Sequence, residues 1–310
     1  MCGTMRVIVI MNGSAGAIGN GKESTDIKTS RISEALERAG VEAVVRATQP
    51  EQLEQAARDA ARERPDAIVA AGGDGTISAV VSGMLGSDVP LGLLPTGTLN
   101  HFAKDAGVPL DLAQAAQIIA TGAVRTVDVG EVNGRIFINN SSIGLYPSIV
   151  HKRDQLRERL GRSKFSAMLA ATLTILRRYP MLNVELNTPR ASLVRRTPMV
   201  FVGNNPYDMS LLNLGKRTSL DAGKLSLYFT HRTGRFALLL IALRGLLGRL
   251  DQAKDFESAL LDECVIETKR HRLRVANDGE VTVMNPPLRY RIRPGELKLI
   301  VASQDPRPRA

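Results

Sequence analysis

The chain has 310 residues, 44% of them hydrophobic and only 4% aromatic, with a formal charge of +10. That length holds two domains with cores of their own, since domains commonly run about 100–150 residues. Its apolar runs, such as residues 236–243, meet an Arg well short of the ~20 residues a membrane-spanning helix needs, so no such helix is expected.

Met5-Arg6-Val7-Ile8-Val9-Ile10-Met11 reads as a strand and lacks the charged n-region, apolar stretch and cleavage site of a signal peptide, so a cytosolic protein is expected. A loop over residues 12–21 leads to a helix from about Thr25, with Ile32, Leu36 and Ala39 on one face. Residues 41–45 make the next strand, Pro50 opens a helix to about Arg64, and Ile68-Val69-Ala70 is a third strand. Ile77, Val80, Val81, Met84 and Leu85 then recur at helical spacing and mark a buried helix face. Leu91-Gly92-Leu93-Leu94 is another strand, followed by a loop over 95–100 and a helix over 101–106. Repeated β-α units of this kind require a parallel sheet, with ligands bound beyond the carboxyl ends of its strands. The loops at 12–16, 72–76 and 95–100 should converge there.

The pattern changes near Asp128. Asn133-Gly134 between alternating β-formers signals a hairpin, and β-like runs follow at 182–186, 199–202, 224–229, 265–268, 273–275, 281–283 and 297–301. Two basic helical stretches, 151–178 and 235–250, interrupt this mainly antiparallel region. The expected boundaries are 1–130 for the first domain, 131–302 for a β-sandwich whose last strand is free to return to the first domain, and 303–310 for a disordered Pro/Arg tail. Cys2 and Cys264 have no metal-ligand spacing and read as incidental. The charge favours an anionic partner. Nucleic acid is not expected, because the basic runs lack interleaved aromatics and a recognition motif.

Ala71-Gly72-Gly73-Asp74-Gly75-Thr76-Ile77-Ser78 joins a buried strand to a helix. Glycines let the backbone approach an anion, and the helix start points N–H groups and its positive dipole end at the same place. A bare carboxylate among them repels phosphate unless a divalent cation intervenes, so the turn suggests a metal–nucleotide. The third glycine of a dinucleotide fingerprint and the Gly-Lys-Ser/Thr of a P-loop are both missing.

Gly72-Gly73-Asp74-Gly75-Thr76, Pro95-Thr96-Gly97-Thr98-Leu99-Asn100-His101-Phe102-Ala103 and Asp278-Gly279-Glu280 together resemble the diacylglycerol kinase catalytic-domain family, which includes sphingosine kinases and bacterial lipid kinases. The resemblance runs from Val7 to about Val301. It implies an α/β N-terminal domain with a parallel sheet, like NAD kinase and phosphofructokinase, a mainly antiparallel β-sandwich C-terminal domain, and an active site between them. The implied reaction is ATP-dependent transfer of the γ-phosphoryl group to a lipid hydroxyl, with Mg2+. Carried over by position, Asn12, Ser14, Thr48, Gly72, Gly73, Asp74, Gly75, Thr76, Ile77, Ser78 and Thr98 bind ATP. Asp74 and Glu280 are catalytic, Glu280 as proton acceptor, and Asp74 and Asp128 join a metal network through water. The implied partner is a lipid at an anionic membrane surface, with room for a homodimer, and the location is cytoplasmic, extending to the inner face of the membrane.

Plainer roles compete at several positions. Thr48 and Thr98 can cap helices or turns, Asp74 can close a local Asx turn, and Asp278-Gly279 can be a hairpin turn without catalysis. The chain also departs from its relatives, which often carry Asp where His101 stands and, as ligand of a structural Mg2+, Asp where Ala222 stands. Asp221, if in a strand, would point to the opposite face. A soluble small-molecule kinase related to NAD kinase and an inactive nucleotide- or lipid-binding relative remain alternatives.

Overall fold

The computed structural model describes residues 4–13, 24–144, 181–187, 192–208, 216–217, 219–230 and 256–303. Ser14, Cys2, the basic stretches at 151–178 and 235–250 and the tail beyond 303 lie outside them. The chain splits into two compact units, Met1–Asp128 with Gly295–Ala310, and Val129–Pro294.

In the first unit, β1 (Met5–Asn12) leads to α1 (Thr25–Arg38), whose start is fixed by the Ser24 hydroxyl accepting the Ile27 N–H at 3.3 Å. Ile32 and Leu36 are buried, while Ala39 follows the helix as its cap. β2 (Val41–Thr48) runs three residues past the expected end. The single helix expected from Pro50 is a 3-10 turn, Pro50–Gln52, followed by α2 (Leu53–Arg62). β3 (Ala67–Gly72), α3 (Asp74–Met84), β4 (Leu91–Pro95) and α4 (His101–Asp105) complete the expected series. A further helix, α5 (Leu112–Thr121), starts at Asp111, whose carboxylate accepts the Gln114 N–H at 3.0 Å. The strands pair in parallel in the order β2-β1-β3-β4. Val7, Val9, Val69 and Ala70 have no exposure, which is why β1 and β3 read as continuous apolar runs rather than alternating ones. Each such Val contributes about 1.5–3 kcal/mol by leaving water.

β5 (Ala123–Val132) carries the chain out of this unit. In the second unit it forms a hairpin with β6 (Arg135–Phe137) through Asn133 and Gly134, whose φ of 47° and 81° make the two-residue turn that Asn-Gly favours. Then come β7 (Asn140–Gly144), β8 (Leu182–Asn187), β9 (Ser192–Thr197), β10 (Met199–Asn204), β11 (Tyr207–Asp208), β12 (Lys216–Arg217), β13 (Leu225–Thr230), β14 (Phe256–Leu261), β15 (Glu263–Thr268), β16 (Leu273–Asn277), β17 (Glu280–Met284) and β18 (Leu288–Val301). One antiparallel sheet is ordered β14-β13-β10-β7-β16-β17; in the other, β15 lies between β18 and β8, with β9 beyond. Ile143, Val200, Leu227 and Val275 meet Val184, Ile266, Leu288 and Tyr290 in one core. β18 ends in the first unit, where Leu299 pairs in parallel with Leu91 of β4.

Candidate active site

Strand register brings the loops of the first unit to one edge. Asn12 lies opposite Thr48, Met11 opposite Ala71 and Gly72 opposite Pro95. Strand order reverses between β1 and β3, the topological switch point at which sheets of this kind place their ligands. Gly13 N–H donates to the Thr48 carbonyl at 2.9 Å, while the Thr48 hydroxyl is buried without a partner. The capping role available to Thr48 is therefore not taken, and the following 3-10 turn starts at Gln49 with no side-chain cap.

Gly73 caps α3 without a side chain, so the positive end of that helix has no side-chain cap at its N-cap position. A Cβ on Gly72 would lie 2.4 Å from Thr76 Oγ1, and one on Gly97 would lie 2.3 Å from Gly73 Cα. The second and third loops thus meet main chain to main chain, a closeness that any side chain would break. Asp74 joins them. Its Oδ1 accepts the Phe102 N–H at 2.9 Å and its Oδ2 the His101 N–H at 3.1 Å, so it caps α4 across the gap rather than closing a local turn.

Asn100 holds the same loop. At φ 52° it is left-handed, 3% exposed, and its side chain accepts the Gly97 N–H at 3.1 Å and donates to the Gly97 carbonyl at 2.9 Å. The sequence reading assigned it no role, although Asn before a helix is the residue type that tolerates this conformation. Ile77, carried over as a binding position, turns into the core with no exposure, and its N–H is used by the Gly73 carbonyl. Thr98 is exposed, as is Leu99 beside it. Asp128 is 3% exposed and accepts the Gly295 N–H at 2.8 Å. Among the described residues no three His, Cys, Asp or Glu side chains are grouped to hold a metal. Mg2+ commonly takes one or two carboxylates and completes its shell with phosphate oxygens and water, and Asp74 fits that use.

In the second unit, Asp278 (φ 48°) and Gly279 (φ 88°) form the two-residue turn between β16 and β17, pairing Asn277 with Glu280. The Asp278 carboxylate accepts the N–H groups of Ile138, Asn139 and Asn140 at 2.8, 2.7 and 3.1 Å. The hairpin role thus holds for the backbone, and it fixes where Glu280 emerges. Glu280 is solvent-accessible yet crowded by protein; lost hydration raises its carboxyl above the usual range, Asp278 adds to that, and Arg135 opposes it. Cys264 is buried, its thiol pushed up to about 12 by lost hydration, in keeping with an incidental role.

Asp221 is not in a strand, so the opposite-face expectation does not apply. β13 starts only at Leu225, and the Asp221 carboxylate accepts the Ser219 hydroxyl within the preceding loop. Ala222 donates its N–H to Asn205 Oδ1 at 3.0 Å, and Asn205 donates its own to the Lys224 carbonyl at 3.0 Å.

The first unit is thus a parallel α/β sheet with a glycine turn before α3 at the carboxyl end of β3, in a chain that continues into antiparallel sheets. Residues 6–132 match the family model described as Diacylglycerol kinase catalytic domain. The chain is 40% identical over 124 residues to Diacylglycerol kinase of Bacillus subtilis (strain 168), covering 39% of this chain and 41% of that one. It is 38% identical over 116 residues to Diacylglycerol kinase of Staphylococcus saprophyticus, covering 35% and 37%. These matches span about two fifths of the curated relatives' length. The crystal structure of a diacylglycerol kinase from Bacillus anthracis str. Sterne superposes with a TM-score of 0.68 at 22% identity, covering 97% of each chain, and a second structure from that organism gives 0.72 at 23% with the same coverage. At that identity the likeness is one of fold.

Proposed function

We propose that this chain is an ATP-dependent lipid kinase that transfers the γ-phosphoryl group to a hydroxyl of diacylglycerol or a related lipid. The observation that carries this reading is Asp74, a carboxylate beside the glycine turn held by the first two backbone N–H groups of α4, inside the segment that matches the diacylglycerol kinase catalytic domain model. Gly72, Gly73, Gly75 and the first-turn N–H groups of α3 take phosphate oxygens, with Thr76 and Ser78 near them in sequence and Thr98 next to Gly97, which packs on Gly73. Asn12, Ser14 and Thr48 serve the rest of the nucleotide; a polar ligand group reaching the Thr48 hydroxyl relieves its unpaired burial. Asp74 with Asp128 would hold Mg2+, which would supply charge neutralisation at the phosphates. Glu280 accepts the proton of the lipid hydroxyl as that oxygen bonds to phosphorus.

The test is purified chain with labelled ATP, Mg2+ and a total lipid extract. Label in the organic phase is the expected result. Label only in water-soluble product points to a small-molecule kinase, and ATP binding without transfer points to an inactive relative. Docking at an anionic membrane surface is part of the same proposal and is supported by the +10 charge. Salt-sensitive sedimentation with anionic but not neutral vesicles checks it.

A further inference from the structure

Antiparallel register places Ser141 of β7 opposite Asn277 of β16, and Asn277 opposite Glu280 of β17. Residues so paired project to one face of the sheet with Cβ atoms about 4.5–5.5 Å apart. Two members of this row have settled partners or open solvent. The Ser141 hydroxyl, with no exposure, shares a hydrogen bond of 3.0 Å with the buried Tyr290 hydroxyl, and Glu280 reaches solvent. Between them, Asn277 Oδ1 is buried and accepts nothing. An acceptor in that position is destabilising unless a donor arrives. Ionised Glu280 has no proton to give, whereas its protonated form has one O–H.

We propose that Asn277 is a positioning residue for Glu280, its Oδ1 taking the hydrogen bond of the carboxyl group once that group has gained a proton. Under the lipid kinase reading, on which the kinetic part rests, the lipid O–H proton passes to Glu280 while the alcohol oxygen bonds to the γ-phosphorus. The bond from that phosphorus to the bridging oxygen breaks, its electron pair leaving with ADP. The O–H formed on Glu280 then points at the waiting Asn277 oxygen. A bond made only by the neutral carboxyl strengthens proton affinity, in the same direction as burial and Asp278 on the turn and against Arg135 on β6.

The test titrates the Glu280 side-chain carboxyl directly by carbon NMR on the full, ligand-free chain with labelled Glu, Glu280→Gln assigning the signal. In Asn277→Val the midpoint should move to lower pH, requiring roughly two- to tenfold more protons. An unchanged midpoint in a variant with wild-type melting overturns the proposal. Should Asn277→Val not fold, Asn277→Ser, which withdraws the oxygen from reach, decides by the same criterion. The acid limb of kcat/KM for lipid phosphorylation should shift in parallel. A chain that turns over no lipid at all counts against the kinase reading, and the ligand-free titration still decides the role of Asn277.

Discussion

Asp74 and Phe102 are joined by a hydrogen bond of 2.9 Å across 28 positions of sequence, a carboxylate on the first turn of one helix capping the start of another. This contact makes Asp74 both a strut between two loops and the charged group nearest the glycines.

Replacing Asp74 by Asn keeps one acceptor and loses the other with the charge. The lost bond should cost about 1–3 kcal/mol and lower the melting temperature by a few degrees. If Asp74 also serves the metal, turnover at saturating ATP and Mg2+ should fall about 10²-fold or more, far beyond the structural cost. Near wild-type turnover in a variant that melts earlier leaves only the strut.

Glu280→Gln should lower kcat by roughly 10²–10⁴ with little change in the KM for ATP. Because folding raises this carboxyl above its unfolded value, its ionised form is disfavoured in the native state. The variant should therefore melt at or above wild type at neutral pH, and that advantage should fade as pH falls through the folded and then the unfolded value. The same direction places the acid limb of wild-type activity above the ordinary carboxylate range. A variant with unchanged kcat removes Glu280 from the reaction.

Thr48→Val exchanges a buried hydroxyl without a partner for a methyl of similar shape. Stability should hold or rise, since an unsatisfied group is lost. Nucleotide affinity, measured by calorimetry, should weaken several-fold, by about the net worth of one hydrogen bond. Equal affinity would show that Thr48 does not face the nucleotide.

The loop at Ala222 is tied by Asn205 on its N–H, and Lys224 reaches Asp262 at 2.6 Å; with Ala222 where the relatives often carry Asp, no structural Mg2+ is expected at this turn. Melting of the nucleotide-free chain should respond little to Mg2+ or to chelator, because only ligands of the folded state raise its stability. A marked rise with Mg2+ alone would contradict this.

The strands of the first unit were legible because burial on both faces leaves a plain apolar signal at β1 and β3. α5 was missed because its buried face is Ala115, Ala116 and Ile119, two of them too small to mark a period. β9 and β14 were missed for a different reason. Strand β9, Ser-Leu-Val-Arg-Arg-Thr, lies at a sheet edge where charge is tolerated, and its alternation is weak. Motif order singled out the glycines, Asp74 and Glu280 as candidates, but the bonds from Asp74 to His101 and Phe102, and from Asp278 to residues 138–140, join distant segments that no local pattern predicts.

The chain leaves the first unit after Asp128 and re-enters it at Gly295, and a hydrogen bond of 2.8 Å spans those two residues. Everything between is a closed excursion whose entry and exit are neighbours. Since doubling the length of such an excursion adds only about 0.6 kcal/mol of closure entropy, the host strands place little demand on what it contains. By closure entropy alone, a change inside the cassette that leaves β5 and β18 intact should cost the host scaffold little. Grafting a relative's cassette between Asp128 and Gly295 becomes a practical route to chimaeras.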